Sequence, residues 1–352
     1  VLVNAETVLS VLKDKALRSL ERFRGFREPR VEDIFKRIAY VFPSDVTVIN
    51  YARKPMAIFN PGAVLVNNEL WVFPRLIFDY YTYVSSIGLF KLRVEDLLSK
   101  GVEKPVEIRI VVWPRELWEF RGCEDPRVHI HDNYVYMLYT GYGYHRLGNE
   151  YRLIPVQSFA VLSPELKPLR RDFFKLSYRG QDHIVQMKDS TFIDIRGSST
   201  SMLCRPTIDS IEINWRCLAD LENLKIDVES MDPVMVFEPW ELKIGWSTNV
   251  VELSKGEYLV GWHAVLQEDL SYRNGIAVVD AYGDVLAVSN YLLVPRGIVE
   301  EYGDRPLVIF GNGLVRYREL VIWIGGVSDY AVGIFATPLD KLLEKLKWIQ
   351  RA

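Results

Sequence analysis

Cysteine, histidine and glutamine are scarce in this chain, and each scarcity excludes something. The three cysteines, Cys123, Cys204 and Cys217, are odd in number and lack zinc-like C-x-x-C spacing. A disulfide framework is therefore not expected. Of the five histidines, His129 and His131 alternate on one stretch, but no third ligand is evident and no metal site is expected. His131 reads as an exposed residue at a hairpin turn. There is no excess of positive charge: 43 Lys and Arg stand against 46 Asp and Glu, a net of -3. That argues against nucleic acid as the main partner, while a local basic pocket remains open. No apolar run approaches the roughly 20 residues that span a bilayer. Residues 1–6 have neither the basic flank nor the apolar core of a signal peptide. A cytoplasmic enzyme or binding protein is expected, with no membrane partner. Only Gln157, Gln181, Gln186, Gln267 and Gln350 are glutamines, which hints at a thermophilic source.

Present in quantity are aromatic residues, 12% of the chain, within an ordinary globular composition of 49% hydrophobic and 25% charged residues. Aromatics suit a sugar site, although most would fill a β-rich core. Two stretches near the start have helical patterns. Val8, Leu9, Leu12, Ala16 and Leu20 form one stripe over 6–22, and a second helix is predicted over 31–40. Residues 338–349 read as a closing helix with proline at an early position. A single domain over 1–352 is expected, with a helical N-terminal extension over 1–40 and a C-terminal helix over 338–350.

Between these ends one unit recurs: a small or acidic polar residue, a strand, a tight polar turn and a second strand. Copies open at Asn60, Asp125, Asp189, Ser247 and Asn312, which lie 65, 64, 58 and 65 residues apart. That period is too long for leucine-rich or ankyrin repeats and suits four-stranded propeller blades. The fold expected is all-β, a five-bladed β-propeller with short N- and C-terminal helices. A β-sandwich with fortuitous hairpins is the alternative. In a propeller the innermost strands run along a central channel. The opening residues therefore converge at one mouth, near the residues that close each hairpin: Arg75, Thr140, Arg205, His263 and Gly326.

Once the units are aligned, their motifs are distinctive. Gly122-Cys123-Glu124-Asp125-Pro126-Arg127, followed by a hairpin ending Tyr139-Thr140, resembles the signature of glycoside hydrolase family 130, the β-mannoside phosphorylases and related β-mannosidases. Phe59-Asn60-Pro61-Gly62-Ala63 with Arg75, Lys188-Asp189, Leu203-Cys204-Arg205-Pro206, Lys243-Ile244-Gly245, Trp262-His263, Gly303-Asp304 and Ser328-Asp329 follow in the family's order. The chain departs from the pattern at Trp246-Ser247-Thr248 and at Lys188-Asp189, where the family often has Gly-Pro and Arg-Asn. The stretch 144–186 reads as a longer, charged insertion, a lid or an oligomer contact, and it carries His145 and His183.

The resemblance implies a five-bladed propeller and an inverting phosphorylase that cleaves a β-mannoside with inorganic phosphate to give α-mannose 1-phosphate. Phosphate is then a co-substrate, and no cofactor is needed. Asp125 is the expected acid, and the resemblance implies that its proton passes through the mannose 3-hydroxyl. Strand alternation puts Asp125 and Arg127 on one face and Glu124 on the other. Lys188, Arg205, Lys243, His263 and Tyr272 are expected to bind phosphate, which needs cations rather than a base. Asn60, Arg75, Asp189, Asp304 and Asp329 are expected to hold sugar hydroxyls. Tyr139 or Trp262 could stack on a sugar face, with packing favoured for Trp262. Two other readings stand beside this one. An inverting hydrolase would use Asp189 as base, and a sugar-binding propeller would have no catalysis. The N-terminal helices could brace the blades or make a homo-oligomer.

Overall fold

The computed structural model describes residues 5–349. It is built almost wholly of antiparallel strands in five successive units. The first unit runs Ala57–Val66, Glu69–Ile77, Ser85–Arg93 and Val106–Val112. The second runs Gly122–His131, Tyr134–Leu147, Glu150–Leu162 and Pro168–Phe173. A parallel bridge between Ser85 and Gly122 joins these two units into one sheet. The third unit is built on Met187–Arg196, Ser199–Pro206 and Asn214–Asp220. The fourth runs Glu241–Ser254, Glu257–Leu266, Tyr272–Asp280 and Val285–Val288. The fifth runs Ile309–Tyr317, Leu320–Val327 and Ala331–Pro338.

The first strands of the units touch one another in a closed cycle: one to two, two to three, three to four, four to five, and five back to one. Each is interrupted at an equivalent place. Register breaks fall at Phe59/Gly62, Glu124/Arg127, Lys188/Thr191, Trp246/Val250 and Phe310/Gly313. A bulge re-aims side chains and bends its strand. Here five bulges lie side by side at the centre of a propeller-like arrangement. Opposite four of them, Arg75 pairs with Phe59, Thr140 with Glu124, Arg205 with Lys188 and Gly326 with Phe310. In the fifth unit the bulge begins at Gly311, so Asn312 is offset by one place from Asn60.

Two of the terminal expectations are corrected. The segment predicted as a second helix contains the strand Lys36–Val41, which pairs with Ala331–Pro338 and supplies the fifth unit with its outer strand. Its partner lies almost a whole chain length away, and an open sheet edge outweighs weak local helical preference. Arg37 secures it, donating to both oxygens of Glu300 (3.0 and 2.9 Å). Helix in the N-terminal extension is thus confined to Ala5–Arg22, where Val8, Leu12 and Ala16 are fully buried on one stripe. The predicted closing helix shortens to Leu339–Leu343, and Lys347–Trp348 pairs with the fourth unit instead. The 144–186 stretch is mostly strand: it holds the ends of the second unit's long hairpin and its outer strand. No described helix is long and apolar enough to cross a membrane.

The core lies between adjacent units. Trp215, Trp246, Trp262 and Trp323 are wholly buried there, each removing a large apolar area from water. Trp262 packs as expected, with Arg27 over its ring at 4.5 Å. Tyr139 is equally buried and its hydroxyl donates to Glu119 at 2.5 Å. Neither ring has a face free for a sugar.

Candidate active site

Asn60, Asp125 and Asp189 occupy the first bulge positions of their strands with φ of 44°, 51° and 54°. This left-handed region is tolerated by Asn and Asp better than by other non-glycine residues. The same turn of the backbone lifts the side chains of Asn60 and Asp125 out of the pleat and towards each other. Asn60 Nδ2 donates to Asp125 Oδ1 at 3.0 Å. Gly326 makes room for this contact, because a Cβ there would sit 2.2 Å from Asn60 Oδ1.

Arg75 completes the setting of Asp125. Its Nη1 lies 3.4 Å from Asp125 Oδ1, its Nη2 donates to Glu124 Oε1 at 2.8 Å, and its Nε donates to Ser85 Oγ at 2.7 Å. Glu124 therefore joins the site, contrary to the expectation from strand alternation. The bulge at Asp125 breaks the period of two and brings both carboxylates to Arg75. Burial pushes the Glu124 carboxyl up, and Asp125 adds to the rise against the pull of Arg75 and Lys188. Asp329 lies in the field of the same groups. Its carboxyl is raised to about 6, chiefly by burial, with Asp125 and Asp304 contributing and Arg75 and Arg305 opposing. Asp304 is more peripheral than expected: it is exposed at the rim and accepts from the Tyr80 hydroxyl at 2.5 Å.

Arg127 does not share a face with the Asp125 carboxylate. It turns inward, almost wholly buried. There it donates to Ser247 O (2.7 Å), Trp246 O (2.9 Å), Asp125 O (3.1 Å) and Asp189 Oδ1 (3.1 Å). This one side chain ties the second, third and fourth units together at the axis. The other oxygen of Asp189 accepts from Arg205 Nε at 2.8 Å, with Arg205 Nη2 at 2.7 Å. Burial alone would push the Asp189 carboxyl up, but Arg205 and Arg127 outweigh it and hold the group far below the usual carboxylate range. Both oxygens of Asp189 are thus engaged by guanidinium groups. So strongly lowered a pKa makes Asp189 a poor proton acceptor, which does not suit a hydrolytic base.

Beyond Asp189 lies a cluster of cationic side chains. Arg205 Nη1 contacts Glu212 Oε2, and Lys243 Nζ lies 3.5 Å from the same oxygen. Burial brings the Lys243 ammonium down to about 8, and nearby Arg205 adds to the fall. His263 accepts or donates through Nδ1 to Ser247 Oγ at 2.9 Å, and its Nε2 is 3.9 Å from Asp189. Burial holds it neutral, well below its ordinary value. Its ring stacks on Tyr272 (5.5 Å, 13°), and the Arg305 guanidinium covers Tyr272 at 4.7 Å. Gly245 allows this packing, since a Cβ there would meet His263 Cε1 at 2.5 Å. Lys188 is half-buried between the two clusters, its charge acting on both Glu124 and Asp189.

The eleven residues singled out from sequence therefore fall into two neighbouring groups. Asn60, Arg75, Asp125 and Asp329 gather on one side, with Asp304 at the rim. Arg205, Lys243, His263, Tyr272 and Asp189 gather on the other, with Lys188 between. Sequence reasoning missed Glu124, Glu212 and Arg305. Glu124 was visible in its motif, but Glu212 and Arg305 belong to connecting segments with no repeat to mark them. A carboxyl group held by an amide and an arginine beside a cluster of cations is suited to group transfer with an anion as nucleophile.

A propeller-like all-β fold with this pairing defines a glycoside-active class of enzyme. The chain belongs to glycoside hydrolase family 130: the family model described as beta-1,4-mannooligosaccharide phosphorylase matches residues 26–348. A beta-1,2-mannobiose phosphorylase of Thermoanaerobacter sp. (strain X514) is 25% identical over 303 residues, covering 81% of this chain and 91% of that protein. A 1,2-beta-oligomannan phosphorylase of the same organism is 23% identical, covering 79% and 88%. The structure of beta-1,2-mannobiose phosphorylase from Listeria innocua superposes with a TM-score of 0.67 at 15% identity, over 86% of this chain and 96% of that one.

Proposed function

We propose that this chain is an inverting glycoside phosphorylase on a five-bladed propeller, cleaving a β-mannoside with inorganic phosphate to yield α-mannose 1-phosphate. The observation that carries the reading is the cluster of Arg205, Lys243 and Lys188 near Asp125 in a chain whose net charge is -3. The closed cycle of five inner strands supports the blade count. In this reading Asp125 is the acid that supplies a proton to the leaving oxygen. Asn60 and Arg75 orient it. Phosphate is seated by Arg205, Lys243 and Lys188, with His263 and Tyr272 walling the pocket, and it attacks the anomeric carbon from the opposite face. Asp329 meets sugar hydroxyls directly, and Asp304 does so from the rim. In this reading Asp189 serves to seat Arg127 and Arg205 rather than to hold a sugar hydroxyl. The hydrolytic alternative thereby loses its base.

The test is synthesis. The protein is incubated with α-mannose 1-phosphate and mannose, glucose, N-acetylglucosamine or β-mannobiose as acceptor, and released phosphate is measured. Acceptor-dependent release that falls by about 10²–10⁴ in Asp125→Asn is expected. Cleavage of β-mannosides in phosphate-free buffer, with no synthesis, would sink the proposal in favour of hydrolysis. Sugar binding with neither reaction would leave a binding protein.

A further inference from the structure

Beside the first unit, on the face that carries Arg75 and Asp125, lies an open pocket of about 370 Å3. Its walls come from three connections: the approach to the first strand (Tyr51, Arg53), the link between the unit's second and third strands (Phe78, Asp79), and the link into the second unit (Trp113). Ser85 forms the inner wall. Tyr51 and Trp113 are each 45% exposed, whereas Trp215, Trp246, Trp262 and Trp323 are wholly buried. Tyr51 and Phe78 meet edge to face at 4.8 Å and 79°. Arg53 donates to Phe78 O at 2.9 Å and lies 3.6 Å from Asp79. Trp113 is held from behind, its carbonyl accepting from Arg171 Nη2 at 2.9 Å while Arg171 is ion-paired to buried Glu119.

The pocket adjoins the acid through a short relay. Ser85 Oγ accepts from Arg75, and Arg75 reaches Glu124 and Asp125. Its place around the axis matters. The inner strands adjoin in the order one, two, three, so Asp125 on the second unit lies between this pocket, beside the first, and Arg205 on the third. In an inverting displacement the nucleophile and the leaving group occupy opposite sides of the anomeric carbon. With phosphate on the cationic side, the leaving portion of the substrate extends towards the pocket. A pyranose has a C–H face that covers an aromatic ring and a rim of hydroxyls that pair with carboxylate, guanidinium and amide groups. The walls offer both, at a volume within the usual range of ligand sites.

We propose that this pocket is a distal subsite on the leaving-group side, which binds a further sugar of a β-mannoside chain and makes the enzyme prefer oligosaccharides to the disaccharide. The proposal rests on the phosphorylase reading for its orientation. Phosphorolysis of β-mannooligosaccharides of two, three and four units, in the β-1,2 and β-1,4 series, tests it. The natural chain is expected to show a KM at least about fivefold lower for the trimer than for the dimer in one series. Trp113→Ala should abolish that preference, raising the trimer KM about tenfold and leaving the dimer within about twofold, and Trp113→Phe should restore most of it. Equal KM for all lengths in the natural chain, or an equal loss on dimer and trimer in Trp113→Ala, would overturn it. If phosphorolysis fails altogether, calorimetric binding of the same dimer and trimer to the natural chain and to Trp113→Ala without phosphate decides the question. A trimer preference that needs Trp113 keeps the subsite, and its absence removes it.

Discussion

Replacing Asp189 by Asn separates a buried clamp from a reacting carboxylate. The substitution is close to isosteric, and Asn tolerates the left-handed backbone at this position (φ 54°), so the change isolates the charge. What it removes is the anion between Arg127 and Arg205, whose side chains are only 2% and 3% exposed. Breaking a buried pair by removing one partner costs about 3–5 kcal/mol, because the remaining charge stays buried without compensation. At roughly 1.4 °C per kcal/mol for a chain of 352 residues, thermal unfolding should fall by about 4–7 °C at pH 7.

The effect should also depend on pH. The Asp189 carboxyl is held far below its unfolded value, so its stabilisation is fully present above about pH 4 and is lost as pH falls towards the folded pKa. The gap between the natural chain and Asp189→Asn should be constant from pH 5 to 7 and should narrow below pH 4. Thermal unfolding by circular dichroism at pH 7, 5 and 3.5 measures it, with activity assayed at 25 °C alongside. Because Arg205 loses its seat, KM for phosphate should rise more than kcat falls. An unchanged unfolding temperature with kcat abolished and the phosphate KM intact would refute the reasoning and return Asp189 to the chemistry.

Two further outcomes bear on the phosphate pocket. Lys243, held near pKa 8, loses its charge as pH rises through that value, so KM for phosphate should increase several-fold between pH 7 and 9. Lys243→Arg should flatten that rise, and parallel profiles for the two proteins would show that another group controls it. Glu212 places a carboxylate on Arg205 and Lys243, the two cations assigned to phosphate in the proposed reaction. Glu212→Gln should therefore lower the phosphate KM by about three- to tenfold. A raised KM would mean that Glu212 holds Arg205 in position.

Much of this site was legible in sequence because its parts repeat. Asn60, Asp125 and Asp189 open successive units, and Arg75 and Arg205 stand opposite them across hairpins of similar length. What the sequence hid falls into two kinds. The strand Lys36–Val41 and the pair Lys347–Trp348 depend on edges offered by distant segments, which local pattern does not carry. Glu124 and Arg127 exchanged sides because the alternation rule assumes an uninterrupted strand, and the strand is bulged between them. The offset of Asn312 has the same origin. Its bulge opens at Gly311, and Asn312 is left fully buried with no hydrogen-bond partner for its amide.

The bulges also explain why the sequence signal is two-fold in meaning. Asn and Asp recur at the unit openings partly because the backbone there is left-handed, a need that exists with or without chemistry. Backbone tolerance alone would accept Asn and Asp interchangeably at all three positions. The surroundings do not. Asn60 donates to a carboxylate, so Asp there would set two anions against each other. Asp189 balances two buried guanidinium groups, so Asn there would leave them uncompensated. Asp125 alone has its carboxylate held from one side, by Asn60 and Arg75 on a single oxygen, while its other oxygen makes no hydrogen bond among the described residues. That asymmetry sets Asp125 apart from its two equivalents, and it is what the proposed acid role requires.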